Sequence, residues 1–296
     1  MRSSAASDVY KRQVYTCYVT KNRILLGVVT VKRMLLSSYE TRIGDIMETN
    51  VLSVNTHEDK EDVSQLLNKY DLSALPVVDA ENRLVGIITF DDAMDVIEEE
   101  TTEDFEKMAA MAPSEKPYLK TSVLSLAKHR ILWLLVLMIS GMITGGILGQ
   151  YEAAFAAMPL LVTFIPMLTD TGGNAGSQSS TLVIRGMAVG DIQPHDLPRI
   201  LWRESRVALL CGGTLAVCNF VKLLVFDRIA APVALVVCLT LICTILLSQI
   251  IGGILPVAAE KLHVDPAVMA SPLITTIVDT STLLIYFNIA KMLLHL

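Results

Sequence analysis

Oxygen-bearing side chains inside apolar sequence are the residues of this chain with the clearest chemical potential. Asp279 lies at the centre of Pro266–Ala290, a stretch of 25 residues that contains no other charge. Such a stretch is long enough to cross a bilayer, and a carboxylate at its midpoint costs about 2.5–3.5 kcal/mol on insertion. Because acids inside a membrane usually mark the routes of ions or protons, we expect a cation to compensate the charge of Asp279.

Polar side chains recur at helical spacing in two apolar stretches, Ala153–Ile184 and Pro266–Ala290. The first stripe contains Asp170, Asn174, Ser177, Gln178 and Thr181, and the second contains Thr275, Thr276, Asp279, Thr282 and Tyr286. Their three- and four-residue spacing puts each set on one face of a helix. Carboxylate, amide and hydroxyl oxygens favour Mg²⁺ or Ca²⁺ over Zn²⁺ or copper, and the small number of charges suits Mg²⁺, which keeps several of its waters.

Two alternatives remain open for these stripes. The polar residues could hold helices together, as Ser, Thr and Asn do beside small residues such as Gly172 and Gly176. That alternative leaves the carboxylate of Asp279 unexplained, because the sequence supplies no membrane Lys or Arg at its depth. The transported ion could also be Co²⁺, Ni²⁺ or Mn²⁺ rather than Mg²⁺.

The composition places these stripes in a membrane protein. Hydrophobic residues make up 52% of the 296 residues, and the mean hydropathy is +0.52. Residues 1–128 contain 21 of the 30 acidic side chains and 15 of the 24 basic ones, so an acidic soluble part precedes a nearly uncharged membrane part. Five crossings are predicted, at Ile131–Gly149, Ala153–Ile184, Val207–Phe226, Ile229–Ala259 and Pro266–Ala290.

The second crossing is longer than a bilayer requires. An uninterrupted helix of its 32 residues would extend about 48 Å, so we expect it to tilt, overhang the bilayer or bend. Pro159, Pro166 and the Gly172–Gly173 pair are the places where it could bend. Eight Lys and Arg residues fall inside and three outside when the soluble part is cytoplasmic, as the positive-inside rule requires. We therefore expect a multi-pass protein of the plasma or inner membrane, with a cytoplasmic N-terminus and an external C-terminus.

The soluble part contains a repeat. Tyr18–Leu35 and Val77–Met94 each run from an Asn-Arg turn into an apolar strand and then a β-branched run. Between them, Asp59–Lys69 has the apolar spacing of a helix and Ala74–Asp79 has the pattern of a buried strand. The order of helix, strand, turn, strand and helix predicts a small α/β unit.

Nine acidic residues occupy one predicted helix from Asp91 to Glu106, before the first base, Lys107. They are Asp91, Asp92, Asp95, Glu98, Glu99, Glu100, Glu103, Asp104 and Glu106. Like charges at helical spacing oppose the helix unless a counter-ion relieves them. A divalent cation and a solvated acidic face are both open explanations. Pro113 and Pro117 are expected to end the helix before the membrane part begins.

The repeat resembles cystathionine-β-synthase (CBS) domains, which are regulatory modules that work in pairs. Residues 14–40 resemble the closing half of a first module, and residues 41–97 resemble a complete second one. Thr89 and Asp92 match the Thr-x-x-Asp with which some of these modules hold a ribose and phosphates, so the resemblance implies a nucleotide such as ATP. Ordinary helix capping by the same two residues is the alternative.

Two membrane segments resemble the signature segments of the MgtE family of magnesium channels and transporters. They are Pro166–Gly186 (PMLTDTGGNAGSQSSTLVIRG) and Asp265–Phe287 (DPAVMASPLITTIVDTSTLLIYF). The resemblance implies magnesium-selective transport rather than an enzyme, through one homodimeric pore lined by the second and fifth crossings. Asp279 matches the family's pore acid, which holds a largely hydrated Mg²⁺, and Asn174 lies in its pore-lining motif. The candidate pore residues are Asp279, Asn174, Asp170, Gln178, Thr275 and Ser271.

The same resemblance implies regulation by cytoplasmic Mg²⁺. The segment at residues 98–127 would act as a plug that closes when Mg²⁺ binds acids between the subunits. The matching sensor positions are Asp92, Asp95, Glu100, Glu103 and Asp104. Mg²⁺ is thus expected both as the transported and as the regulatory ion, and the expected partners are a second copy and the lipid bilayer, with no nucleic acid.

The N-terminal region departs from the pattern of that family. The N-terminal helical domain of that family and half of its first CBS module have no counterpart in this sequence. We therefore expect the pore to close poorly at high Mg²⁺. Ser3–Gln13 (SSAASDVYKRQ) resembles a translated sequencing-library adapter. Residues 1–13 are therefore expected to be a non-native leader.

The predicted fold class is multi-domain, with cytoplasmic α/β CBS modules followed by an all-α transmembrane domain of five helices at residues 128–296. A membrane enzyme is the first rival, but the HExxH motif of an intramembrane metalloprotease is absent and the five histidines are scattered. An anion channel is the second, although a midplane carboxylate does not suit it. A proton-coupled or broader divalent-cation carrier (Co²⁺, Ni²⁺, Mn²⁺) remains open, because Asp279 could itself take up a proton.

Overall fold

The computed structural model of the protein describes residues 15–114, 118–151, 156, 158–269 and 271–295. The predicted leader at residues 1–13 lies outside the described residues, as does Pro117. The chain divides into two compact units, one ending at Thr101 and the other beginning at Thr102, and each has its own hydrophobic core. The predicted fold class, an α/β part followed by a part with several apolar helices, is confirmed.

Two small sheets and short helices build the first unit. The strands are β1 (Thr16–Lys21), β2 (Ile24–Thr30), β3 (Val54–Asn55), β4 (Ala74–Val78) and β5 (Leu84–Thr89). The helices are α1 (Val31–Leu36), α2 (Ile43–Ile46), α3 (Lys60–Lys69) and the first part of α4 (Phe90–Met108), which continues past Thr101 into the second unit. Strands β1 and β2 form an antiparallel hairpin, while β4 pairs in parallel with β3 and antiparallel with β5.

The predicted repeat is present as strand, turn, strand and helix, first in β1, β2 and α1 and again in β4, β5 and α4. The two copies meet at their Asn-Arg turns. The backbone N–H of Leu25 donates to the carbonyl of Asn82 at 3.0 Å, and that of Leu84 donates to the carbonyl of Arg23 at 2.7 Å. Backbone hydrogen bonds therefore hold the two halves together.

The core of this unit lies between α3 and the second sheet. Its buried members are Val54, Val63, Leu67, Leu75 and Ala93. Helix α3 begins after Asp59, whose carboxylate accepts a hydrogen bond from the N–H of Glu61 at 2.9 Å, as an N-cap does. The helix predicted at Asp59–Lys69 and the strand predicted at Ala74–Asp79 are both confirmed, each to within one residue.

Helix α4 carries all nine acids of the charged segment in 19 continuous residues. The prediction of one long acidic helix is confirmed. It ends at Met108, five residues before Pro113, and the chain then runs without regular structure to Ser114.

Long helices make up the second unit. They are α5 (Val123–Gln150), α6 (Ile165–Ala188), α7 (Leu197–Val225), α8 (Ala231–Lys261) and α9 (Ser271–Leu294). Within the described residues, four segments are long and apolar enough to cross a bilayer, and they correspond to α5, α7, α8 and α9. Helix α6 lies outside that set because Gly, Ser, Thr, Asp, Asn and Gln occupy so much of it.

Helix α6 is shorter than the second predicted crossing, because the α-helix begins only at Ile165. Residues Pro159–Phe164 form a 3-10 turn, and the α-helix begins at Ile165 with Pro166 in its first turn. Its 24 residues extend about 36 Å, close to the thickness of a bilayer. The α-helix continues through Gly172 and Gly173, whereas the change from 3-10 turn to α-helix falls between Pro159 and Pro166.

Helix α8 lies at the centre of the second unit, which is called the membrane unit below. It packs against α6, α7 and α9. Glycines permit the close approach of these helices. A methyl group at Gly176 would come within 2.7 Å of Cγ2 of Ile274 and 3.1 Å of the carbonyl oxygen of Ser248, and one at Gly252 would overlap the carbonyl oxygen of Gly176. The glycine-rich part of α6 therefore positions its polar face by direct helix contact.

Candidate cation site

Two carboxylates from neighbouring helices of the second unit lie close enough to act on each other electrostatically. Asp170 is on α6 and Asp279 is on α9, and the negative charge of Asp170 acts on Asp279. Across the part of the chain that the structure describes, neither carboxylate forms an ion pair with Lys, Arg or His. Two acids that repel each other without a protein cation form a site that a metal cation or a proton would stabilise.

Asn174 extends this site along α6. Its Nδ2 donates a hydrogen bond to Oδ2 of Asp170 at 3.2 Å, one helical turn away. Because the amide nitrogen is used in this way, its Oδ1 remains available as an acceptor. Both residues are exposed in the single chain, so the polar face of α6 is open.

The candidate residues of α9 have different surroundings. Thr275 packs against α6, since a methyl group at Gly173 would lie 3.0 Å from its Cγ2. Asp279 lies one helical turn further along and is half-buried. The side chain of Ser271 lies outside the described residues. The structure therefore places Thr275 against α6 and Asp279 within electrostatic reach of Asp170, while Asn174 contacts Asp170 on α6 itself.

The C-terminal part of the α9 stripe serves packing instead. Tyr286 is fully buried, and its hydroxyl donates to the carbonyl of Leu161 at 2.9 Å. Thr282 is also buried. Tyr286 therefore serves packing between segments, as the alternative of helix contact predicts.

Gln178 lies beside a groove that sequence reasoning missed. The groove has a volume of about 510 Å³ and is bounded by α6, α7 and α8. Its polar lining comes from Thr171, Asn174 and Gln178 on α6, Thr214 on α7 and Gln249 on α8. Gln178 lines this groove, and Asn174 both lines it and contacts Asp170. Gln249 gave no signal in sequence because a lone amide in an apolar helix has no periodic partner.

Lysine side chains compensate part of the negative charge of helix α4. Nζ of Lys60 lies 2.9 Å from a carboxylate oxygen of Glu100 and 3.7 Å from one of Glu99. Nζ of Lys107 lies 2.6 Å from a carboxylate oxygen of Glu103. Two of the five predicted sensor acids are thus paired with a basic side chain.

Lys107 also binds Asp265, which lies just before α9. Burial lowers the pKa of Lys107, but the hydrogen bonds that its ammonium donates to Asp265 and Glu103 outweigh this effect, and the net pKa is raised above the ordinary lysine value. The lysine is therefore charged throughout the physiological range. Sequence reasoning missed this pair, whose members are 158 residues apart.

The five predicted sensor acids are spread along helix α4. No group of three or more His, Cys, Asp or Glu side chains suited to a metal ion occurs among the residues that the structure describes. Asp92 accepts hydrogen bonds from the backbone N–H and the hydroxyl of Thr89, at the start of α4. This pairing is a helix-capping arrangement, as the alternative to nucleotide binding predicted.

Comparisons with known protein families match both units. Residues 165–289 match the family model MgtE, described as a divalent cation transporter, and residues 43–99 match that of the CBS domain. The first match spans α6 to α9 and includes Asp170 and Asp279. The second contains α3, β4 and β5 and most of α4.

Similar proteins cover nearly the whole chain. It is 38% identical over 284 residues to "Magnesium transporter MgtE" of Thermus thermophilus, and 34% identical over 281 residues to the protein of the same name from Bacillus subtilis. Each alignment covers 95% of this chain and 62% of the relative, so the chain spans less than two thirds of their length.

A solved structure, "Crystal structure of the cytosolic domain of the Mg2+ channel MgtE in complex with ATP", is 38% identical. It matches 31% of this chain and 37% of that chain with a TM-score of 0.28, a likeness too partial to carry an argument.

Both relatives are named as transporters and not as enzymes. They align with the CBS region and with the helices that carry the two facing carboxylates. The chain therefore contains a region of the MgtE family at residues 165–289 and a CBS domain at residues 43–99.

Proposed function

We propose that this protein carries Mg²⁺ across a membrane along a path between α6 and α9. The observation that carries the proposal is the pair of carboxylates, Asp170 and Asp279, which act on each other and receive no ion pair from the described residues. A divalent cation between them would remove their repulsion and offset the cost of placing acids in a bilayer.

The chemistry of the path supports Mg²⁺ as the transported ion. Carboxylate, amide and hydroxyl oxygens are hard ligands, and few of them carry charge. Mg²⁺ gives up its waters reluctantly, so such a path would contact the ion largely through its bound waters. The names of the two relatives point to the same ion.

A homodimer with the path on its two-fold axis belongs to the same proposal. Asp170, Asn174 and Gln178 are exposed on the single chain. Facing lipid, these groups would be costly, whereas a second copy would cover them and contribute a second Asp279. The distribution of Lys and Arg supports a cytoplasmic N-terminus and an external C-terminus in the plasma or inner membrane.

We also propose that cytoplasmic Mg²⁺ regulates the path through helix α4. The candidate ligands are Asp92, Asp95, Glu100, Glu103 and Asp104. Because one chain does not group them into a site, the proposal requires acids from a second copy. Binding of ATP at Thr89 and Asp92 is the least supported part, since the two side chains already bond to each other.

The decisive experiment compares Asp279→Asn with Asp227→Asn in a bacterial strain that lacks its own magnesium transporters. Asp227 is an exposed acid bonded to Lys222 at the end of α7, so its substitution is a matched control for the change in charge. We expect Asp279→Asn to reduce Mg²⁺ uptake roughly 10- to 100-fold, the range for losing a contact to a charged group. Unchanged Mg²⁺ uptake in Asp279→Asn would show that the path does not run along α9.

A proton-coupled or broader divalent carrier is the second candidate, because two neighbouring carboxylates can share a proton. Uptake measured with and without an imposed pH gradient separates the two functions. A gradient that drives uptake in the wild type but not in Asp279→Asn would favour the carrier. Competition by Co²⁺, Ni²⁺ and Mn²⁺ in the same assay measures the breadth of selection.

A further inference from the structure

The groove between α6, α7 and α8 has a polar wall that includes neither Asp170 nor Asp279. Thr171, Asn174, Gln178, Thr214 and Gln249 supply hydroxyl and amide groups, and none of these side chains carries a charge. The remaining lining is apolar and includes Ile245 of α8. At about 510 Å³, the groove has room for an ion with a full shell of water.

Gln249 is the buried member of this wall. Only 5% of its surface is exposed, and its Oε1 has no hydrogen-bond partner among the described residues. Its backbone carbonyl accepts a hydrogen bond from Ser179 of α6 at 3.0 Å, which holds this turn of α8 against α6. A buried amide oxygen without a donor costs free energy, so a donor that enters the groove would be bound favourably.

Asn174 connects the groove to the path. It lines the groove, and its Nδ2 donates to Asp170, which leaves its Oδ1 as an acceptor. A species that passes between the groove and the carboxylates would therefore stay in contact with the same side chain.

We propose that this groove is a second cation site, which binds a hydrated divalent cation through its coordinated waters. Waters bound to Mg²⁺ are strong donors, and the groove offers neutral acceptors, with Gln249 at its buried end. Without a fixed negative charge, the site holds the ion weakly and lets it leave. This inference rests on the proposed function, since the groove would be an intermediate binding site for the ion that moves along the path.

Cys211 provides a direct test because it lines the groove and is exposed. One variant keeps Cys211 as its only cysteine, and a control variant keeps only Cys218, which is exposed on the same helix but does not line the groove. Each is treated in detergent with a small cationic thiol reagent, with and without Mg²⁺ at constant ionic strength. We expect Mg²⁺ to slow modification of Cys211 and to leave Cys218 unaffected.

Gln249→Leu is then introduced into the Cys211 variant, with Thr240→Val as its control. Thr240 is a buried polar residue of the same helix that is bonded to the carbonyl of Val236 and does not line the groove. Gln249→Leu is expected to raise the Mg²⁺ concentration for half protection roughly 3- to 10-fold, the range for one lost hydrogen bond. Gln249→Glu is expected to lower it, and Thr240→Val to leave it unchanged.

The site would be excluded by three results: no protection of Cys211, equal protection of Cys218, or protection unaltered in Gln249→Leu. Should Gln249→Leu fail to fold, the lower half-protecting concentration expected for Gln249→Glu still tests the assignment. The reaction is followed without transport, so its failure is distinguishable from failure of the Asp279 uptake experiment, which addresses the proposed function alone.

Discussion

At the scale of one residue, Lys107 compensates the negative charge of two acidic side chains. It binds Glu103 on its own helix and Asp265 on the segment before α9, and both are in the second unit. The two carboxylates more than offset the desolvation of the lysine, which raises its pKa. A group with a raised pKa stabilises the fold fully below its ordinary value, and that contribution is lost only as the pH rises through the folded-state value.

We expect Lys107→Met to lower the free energy of unfolding by about 1.5–3 kcal/mol, the range for hydrogen bonds to charged groups. The loss should be equal at pH 7 and pH 9, because both lie below the ordinary lysine pKa of about 10.4. Thermal unfolding in detergent measures it, with exposed Lys120→Met as the control. A loss that changes between pH 7 and pH 9 would contradict the assignment.

At the scale of elements, the contact between α6 and α8 determines where the polar face of α6 lies. Gly252 of α8 faces the backbone of α6, where a methyl group would overlap the carbonyl oxygen of Gly176 and come within 3.0 Å of Cβ of Ser179. Backbone atoms cannot move aside as a flexible side chain can. The two helices would therefore have to separate to accept any larger residue.

Gly252→Ala should destabilise the membrane unit by about 1–3 kcal/mol, as overpacking does, and should also reduce Mg²⁺ uptake by displacing Asp170. Gly141→Ala on α5 is the matched control, because nothing lies within 4 Å of its added methyl group. That change should be neutral or stabilising by up to about 1 kcal/mol. Thermal unfolding and uptake measured on both variants check the prediction, and equal unfolding temperatures would contradict it.

At the scale of the whole molecule, the exposed polar face of α6 must be shielded from lipid. An aspartate facing hydrocarbon costs about 2.5–3.5 kcal/mol on insertion scales, and Asp170 is exposed on the single chain. A second copy on the same two-fold axis is the cover that we propose. The carboxylate pair would then be doubled around one path.

We accordingly expect the protein in mild detergent to have twice the 32.4 kDa mass of one chain. Light scattering with correction for bound detergent makes the measurement, and the Asp279→Asn variant, which keeps its exposed surface, should have the same mass. A monomer that retains full Mg²⁺ uptake would refute the shared path.

Local features of the fold were predictable from the sequence, since they depend on neighbours along the chain. Helical spacing identified α3, the long acidic helix α4 and the polar face of α6, and the Asn-Arg turns identified the repeat. Within the second predicted crossing, the sequence did not specify that Pro159–Phe164 adopt a 3-10 turn and that the long α-helix begins only at Ile165.

The sequence by itself determined which residues could hold a cation, because residue type and period are local properties. Only the tertiary structure decided which of them meet. It directed Asp170 and Asp279 toward each other, buried Tyr286 against Leu161, and opened a groove beside Gln249. Contacts between residues so far apart depend on how each helix is rotated and how closely glycines let it approach, and no single stretch of sequence contains that information.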